Sequence, residues 1–101
     1  MESHLEIGTQ FLEVEPEQEL TFYHEKGDLY TRFSLKNTTE KANVAFYVFT
    51  SSKERIYILP SQGFIQPGFE QTIQVAWAAK DNPDEEKIER MLFFVKALPL
   101  S

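Results

Sequence analysis

Cysteine is absent from this chain of 101 residues, and histidine occurs only twice. A chain without thiols forms neither a disulfide framework nor a thiolate metal site, and it fits a reducing compartment. His4 and His24 lie far apart in sequence without a nearby pattern of carboxylates, so we interpret both as solvated rather than as metal ligands. The four glycines occur singly, which excludes a glycine-rich phosphate loop. The sequence therefore predicts no metal and no cofactor.

The sequence also shows no pair of carboxylates in a pattern typical of general acid–base catalysis. The carboxylates, including Glu13, Glu15 and Glu17, fall on the outer faces of predicted strands or in loops. General acid–base catalysis uses carboxyl groups whose pKa is tuned, mostly by burial, and nothing in the pattern predicts that burial. We therefore predict that the protein is not an enzyme.

Basic residues are outnumbered, because 10 lysines and arginines face 16 aspartates and glutamates, a net charge of −6. An acidic surface repels phosphate backbones, which argues against nucleic-acid binding. No apolar run approaches the roughly 20 residues that a membrane-spanning helix needs, and the start MESHLEIG lacks the features of a signal peptide. We expect a soluble cytoplasmic domain, carried to a membrane or a cytoskeletal structure only if a longer parent protein places it there.

Hydrophobic side chains recur with a period of two, which is typical of β-strands. Alternating or apolar runs of this kind cover residues 12–14, 20–22, 29–35, 44–50, 55–59, 64–66, 72–78 and 87–97. About seven short strands in about 100 residues predict an all-β, seven-stranded antiparallel sandwich of immunoglobulin-like type. We expect residues 1–8 to be a flexible segment and residues 9–101 to form the domain. One helical turn over residues 83–87 is compatible with Asn82 as a cap and Pro83 at the first position.

The alternation also predicts the core. Each of six residues falls on the apolar side of its strand and is expected between the two sheets: Phe33, Phe46, Val48, Val75, Trp77 and Phe93.

Five segments in order resemble the major sperm protein domain family. They are FLEVEPEQELTF, FSLKNTT, VAFYVFTSS, YILPSQGFIQPG and the pair IQVAW with FFVKA. The spacing is most similar to that of the VAMP-associated branch of the family. The resemblance spans nearly the whole chain and implies an immunoglobulin-like sandwich that binds proteins. Members of that branch bind acidic peptides with two phenylalanines at membrane contact sites, whereas the sperm members assemble into a cytoskeleton.

The resemblance implies a candidate binding face, and this sequence departs from the family pattern on it. Thr50 and Ser51 match a Thr-Thr pair of the peptide-binding branch. Four apolar residues stand where that branch has cations: Tyr47, Phe49, Leu59 and Leu92. Phe94 replaces a methionine that contacts the peptide. Cations there would steer and pair an acidic peptide, so this chain is expected to bind such a peptide weakly at best.

The alternation instead predicts an outward apolar patch formed by Tyr47, Phe49, Leu92 and Phe94 on neighbouring strands, large enough to mark an interaction site. Two alternatives are that a loop covers these side chains, or that the register is shifted by one residue, which would turn them inward. We predict a module that docks a protein or peptide partner through this patch. The other hypothesis is a structural element that self-associates, as a homodimer for example, or packs against a neighbouring domain.

Overall fold

Two β-sheets and one short helix make up the computed structural model, which describes residues 2–25, 28–51, 56–77 and 85–100. The elements are β1 (Glu2–Ile7), β2 (Leu12–Glu15), β3 (Glu19–Thr21), β4 (Tyr23–Glu25), β5 (Asp28–Asn37), β6 (Asn43–Thr50), β7 (Ile56–Leu59), β8 (Gln62–Ile65), β9 (Glu70–Trp77), α1 (Glu85–Arg90) and β10 (Leu92–Leu100). The first sheet has the order β3-β1-β10-β6-β8. The second sheet has the order β2-β5-β9-β7, with β4 also paired to β5.

The predicted β-sandwich is confirmed, but the described residues form ten strands rather than seven. Short strands account for the difference, because β3 and β4 are three residues each and are separated only by Phe22. The arrangement is also not wholly antiparallel, since β1 runs parallel to β10. All the remaining neighbouring pairs of described strands are antiparallel.

The core lies between the two sheets, and the prediction for it is confirmed. All six predicted residues are at most 4% exposed: Phe33, Phe46, Val48, Val75, Trp77 and Phe93. The Phe22 ring lies between two of them, with its centroid 5.5 Å from that of Trp77 and 6.0 Å from that of Phe93. Edge-on and tilted contacts at these distances are favourable aromatic geometries. Rings from both sheets therefore fix the spacing between the layers.

Within residues 1–8, which were expected to be a flexible segment, the described part is mostly a strand. Glu2–Ile7 is strand β1, which pairs with β10 on one side and with β3 on the other. Ser3 and Leu5 are buried while their neighbours are exposed. The alternation in ESHLEI is the reason, but its inward set is a single leucine and a serine, which is too weak an apolar pattern to predict a strand from sequence.

The prediction of one strand over residues 87–97 is wrong for the first part of that range. Residues Glu85–Arg90 form helix α1, and β10 begins only at Leu92. Ile88, a residue of this helix, is completely buried. Arg90 pairs with Glu86 one turn earlier. An ion pair at this spacing supports a short helix, but tertiary burial of Ile88 is the larger contribution. The proposed cap at Asn82 and Pro83 lies outside the described residues.

Asn37 connects the two sheets at the end of β5. Its buried side-chain nitrogen donates to the carbonyl oxygens of Ala42 at 2.8 Å and Ile65 at 2.7 Å. Its side-chain oxygen accepts from the backbone nitrogen of Thr39 at 2.9 Å and from the Thr39 hydroxyl. Satisfied buried hydrogen bonds of this kind stabilise a unique arrangement. The NTT sequence therefore holds the β5–β6 loop against β8 of the opposite sheet.

Candidate protein-binding face

The outward side of the first sheet carries an apolar face on its two central long strands, β6 and β10. Cross-strand pairing sets Phe94 directly opposite Phe49, and Lys96 directly opposite Tyr47. Inward residues alternate with these, since Val48, Phe93 and Val95 are at most 2% exposed. The register is therefore the predicted one, and the alternative of a one-residue shift is excluded.

Three aromatic rings of this face stack on one another. The Phe49 ring lies 4.8 Å from that of Phe94, centroid to centroid, with 15° between their planes. It also lies 5.3 Å from the Tyr47 ring, at 28°. Pairs in this range contribute about 0.5–1.5 kcal/mol beyond their buried area. Mutual stacking leaves Phe49 and Phe94 half-buried while Tyr47 is 49% exposed.

A single lysine stands within this aromatic cluster. The Lys96 ammonium nitrogen lies 5.6 Å from the centroid of the Phe49 ring, which is cation–π distance. Period-two alternation along β10 continues beyond it to Leu98, which is 63% exposed and pairs with Ala45. Lys96 and Leu98 also lie on this side of the sheet, and the prediction from sequence included neither. Continuing the outward set of LFFVKALPL from Leu92 and Phe94 to residues 96 and 98 would have found them.

Leu92, the first residue of β10, lies at one end of the apolar side chains and beside β1. It is 36% exposed, and its backbone carbonyl accepts hydrogen bonds from the Thr50 hydroxyl at 3.0 Å and from the Ser51 backbone nitrogen at 3.0 Å. The Leu92 backbone nitrogen in turn donates to the Ser51 hydroxyl at 3.1 Å. Thr50 and Ser51 therefore anchor the start of β10 with their hydroxyl groups, next to the apolar face.

Leu59 is the one predicted site residue that the structure places elsewhere. It ends β7 in the second sheet, where it pairs with Gln74 and is 64% exposed. The other six, Tyr47, Phe49, Thr50, Ser51, Leu92 and Phe94, lie on β6, β10 or the residue after β6 in the first sheet. The apolar face, as we use the term below, consists of Ala45, Tyr47, Phe49, Leu92, Phe94 and Leu98.

Acidic side chains border the apolar face on one side. Glu6 of β1 pairs with Phe94 and is exposed, and His4 of β1 pairs with Leu92. The His4 imidazole nitrogen Nε2 lies 2.9 Å from a Glu6 carboxylate oxygen. Glu19 of β3 pairs with His4, and its carboxyl group hydrogen-bonds that of Glu2 at the β1–β3 edge. A carboxylate-rich partner approaching from this edge would therefore be repelled.

Comparison with known families identifies the fold. The model of the MSP (major sperm protein) domain matches residues 11–99. The chain belongs to the MSP domain family. A search of curated proteins found no significant match. Proteins of this domain family are interaction and structural modules without catalytic activity.

Two further observations on the described residues bear on function. None of the helices in residues 2–25, 28–51, 56–77 and 85–100 has both the length and the apolar content of a membrane span. Within the same ranges, no cluster of three or more histidine, aspartate or glutamate side chains could hold a metal ion.

Proposed function

We propose that this MSP domain is a non-catalytic docking module, and that a protein or peptide partner binds to the apolar face. The observation that carries the proposal is the stack of Tyr47, Phe49 and Phe94 on the central strands of the first sheet. Aromatic residues grouped in this way are typical anchors of protein interfaces. Exposed apolar groups on a domain of net charge −6 gain most from a partner that buries them.

The composition of the face supports an apolar partner over an acidic one. In the VAMP-associated branch, which this chain resembles in spacing, lysines would occupy the positions of Tyr47, Phe49 and Leu92. Here the only cation among the outward residues of β10 is Lys96, and it lies over the Phe49 ring. Glu6 stands beside Phe94 at the border. The domain is therefore a relative of that branch with changed specificity, acting in the cytoplasm.

Self-association is the second candidate, because an apolar face can also bury itself against a second copy. Sedimentation over a range of concentrations separates the two functions. A docking module stays monomeric without its partner, whereas a structural element forms dimers of the isolated domain.

The variant Phe49→Asp tests the proposal directly. It places a charge at the centre of the stack, and we expect it to abolish partner capture, or dimers if they form, while the fold remains. Truncating an aromatic anchor often costs about 2 kcal/mol, on the order of 30-fold in affinity. Phe69→Asp is the matched control, since Phe69 is 62% exposed outside both sheets.

Two results would contradict the proposal. In the first, Phe49→Asp and Phe69→Asp capture the same partners as the unaltered domain. In the second, Phe49→Asp loses the near-ultraviolet circular dichroism of the folded domain altogether, which would make Phe49 a residue of the core.

A further inference from the structure

The outward side of the second sheet carries a different aromatic feature, a row of tyrosines that crosses the strands. Register places Tyr23 of β4 opposite Tyr30 of β5, Tyr30 opposite Ala76 of β9, and Ala76 opposite Tyr57 of β7. Tyr23 and Tyr57 are more than half exposed, and the rings of Tyr23 and Tyr30 lie 6.0 Å apart. We call Tyr23, Tyr30, Ala76 and Tyr57 the tyrosine row.

Ala76 leaves a slot between two of these rings. A shallow pocket lies on the Tyr30 side of Ala76, lined by Tyr30, Thr31, Arg32, Gln74, Val75 and Ala76. Neighbouring strands are about 4.8 Å apart, so the Tyr30 and Tyr57 positions, two strands apart, are separated by about 9–10 Å. Carbon atoms in contact need about 3.5–4 Å. The spacing of these two positions therefore leaves room for one small ring over the alanine methyl group.

Charge near the slot is asymmetric. Arg32 is exposed two residues along β5 from Tyr30 and pairs with Gln74. In the parts of the chain that the structure describes, Arg32 has no ion pair. Asp28 is exposed two residues from Tyr30 in the other direction. An acidic group of a ligand is therefore attracted on the Arg32 side of the row and repelled on the Asp28 side.

We propose that the tyrosine row binds a proline-rich segment in the polyproline II conformation, with an acidic residue placed beside Arg32. A proline ring is compact enough for the slot over Ala76. The polyproline II helix repeats every three residues, or about 9.3 Å, which matches the two-strand spacing between Tyr30 and Tyr57. Such a segment is already ordered before binding, so aromatic grooves capture it at a low entropic cost. Arg32 then selects the orientation by charge complementarity.

The surface is independent of the apolar face, because the two lie on the outward sides of different sheets. One domain could in this way hold a proline-rich segment and its other partner at the same time.

Two synthetic peptides test the proposal: a decaproline with blocked ends, and the same peptide with one aspartate next to the prolines. Titration into the ¹⁵N-labelled domain, followed by nuclear magnetic resonance, reports both affinity and location. We expect amide shifts at Tyr30, Ala76 and Tyr57 and none at Tyr47, Phe49 and Phe94. The aspartate peptide should bind several-fold more tightly, and Arg32→Gln should abolish that difference between the two peptides.

Variants of the row sharpen the test. Ala76→Leu fills the slot while keeping every tyrosine, and we expect about tenfold weaker binding of both peptides. Tyr57→Ser should weaken binding by a similar factor, as loss of an aromatic anchor does. Phe69→Ser is the matched control, and Phe49→Asp must leave the affinity for both peptides unchanged.

Three outcomes would overturn the inference: no amide shifts at millimolar decaproline, shifts centred on the apolar face, or full binding by Ala76→Leu. Sedimentation as a dimer that Tyr57→Ser dissociates would also overturn it, since a second copy would then occupy the row. Among these results only shifts centred on the apolar face concern that face, and they would not count against binding there, so failure here is distinguishable from failure of the proposed function.

Discussion

The outward sides of the two sheets display aromatic residues in two different geometries. On the first sheet the rings of Tyr47, Phe49 and Phe94 stack continuously along and between two strands, with Lys96 over one of them. On the second sheet, tyrosines stand across the strands and an alanine interrupts them. A continuous stack offers one flat surface, whereas an interrupted row offers a slot. The same fold can therefore present two surfaces that select ligands of different shape.

Substitutions on the two surfaces should cost different amounts of unfolding free energy. Phe49 has two ring neighbours and a cation, so it contributes to stability as well as to the proposed binding. Tyr57 is more than half exposed, and no aromatic contact joins it to the described rings. Changes in the tyrosine row should thus be nearly silent in stability, while changes in the apolar face should not be.

The largest expected effect comes from two adjacent phenylalanines of β10 that point to opposite sides. Phe93 is completely buried, and Phe94 stacks on the apolar face. Truncating a buried phenylalanine costs about 3–5 kcal/mol, so Phe93→Ala should lose much of the free energy of unfolding. Phe94→Ala should cost about 1–2 kcal/mol, through one stacked contact and partial burial. Urea titrations of both variants measure the difference, and equal costs would refute the assigned side of the strand.

Alternation along a strand is what made the apolar face predictable. Tyr47 and Phe49 are two residues apart, as are Leu92 and Phe94, so sequence alone put each pair on one side. The six core residues follow from the same rule. The family resemblance then indicated which strands are neighbours, and the structure has β6 beside β10.

The tyrosine row could not be predicted in this way. Its members belong to four strands, and they align only once the register of β4, β5, β9 and β7 is known. Alternation within one strand tells which side a residue faces, but it does not by itself fix the register between strands that are distant in the sequence, such as β5 and β9. Leu59 was misassigned to the binding face for a related reason, because the chain changes sheets between β7 and β8 and a position in a motif does not reveal the sheet.

A second prediction converts the apolar face to the basic type of the family's peptide-binding branch. Substituting lysine at Tyr47, Phe49 and Leu92 together should raise the affinity for a peptide with two phenylalanines in an acidic tract. Exposed ion pairs contribute about 0.2–1 kcal/mol each, so the gain is on the order of tenfold. The gain should shrink as salt is added, which isothermal titration at two ionic strengths measures.

The unaltered domain is the control for this triple variant, together with the decaproline peptide. Micromolar binding of the acidic peptide to the unaltered domain at physiological salt would contradict the argument from the missing lysines. The decaproline affinity should be the same for both proteins, since the tyrosine row is untouched.

A third prediction compares one aromatic residue from each surface. Phe49→Ala removes two ring contacts and a cation–π contact, and should cost about 1–2 kcal/mol of unfolding free energy. Tyr23→Ala removes a single tilted contact with Tyr30 and should cost less than about 1 kcal/mol. Thermal and urea unfolding of the two variants give the ranking. A larger loss for Tyr23→Ala would show that the row, not the stack, supports the fold.

The smallest expected effect concerns the acidic border that distinguishes the first sheet from the second. A hydrogen bond with the Glu2 carboxyl group, followed by repulsion between the two charges, raises the pKa of Glu19, while His4 acts in the opposite sense. A carboxyl group with a raised pKa binds its proton more tightly in the folded state than in the unfolded chain. Stability therefore falls as the pH rises from the ordinary pKa of glutamate through the raised pKa of Glu19, because Glu19 then loses its proton beside Glu2.

Glu19→Gln should remove this loss of stability at rising pH. The variant should unfold at a slightly higher urea concentration than the unaltered domain at neutral pH, and the gain should vanish in acid, where Glu19 is protonated in either state. Glu17→Gln removes the same charge from an exposed position before β3 and serves as the control. Because Glu19 is exposed, water and salt screen the repulsion and keep the gain small. A gain that persists unchanged in acid, or that Glu17→Gln reproduces, would mean that net charge rather than the Glu2–Glu19 pair is responsible.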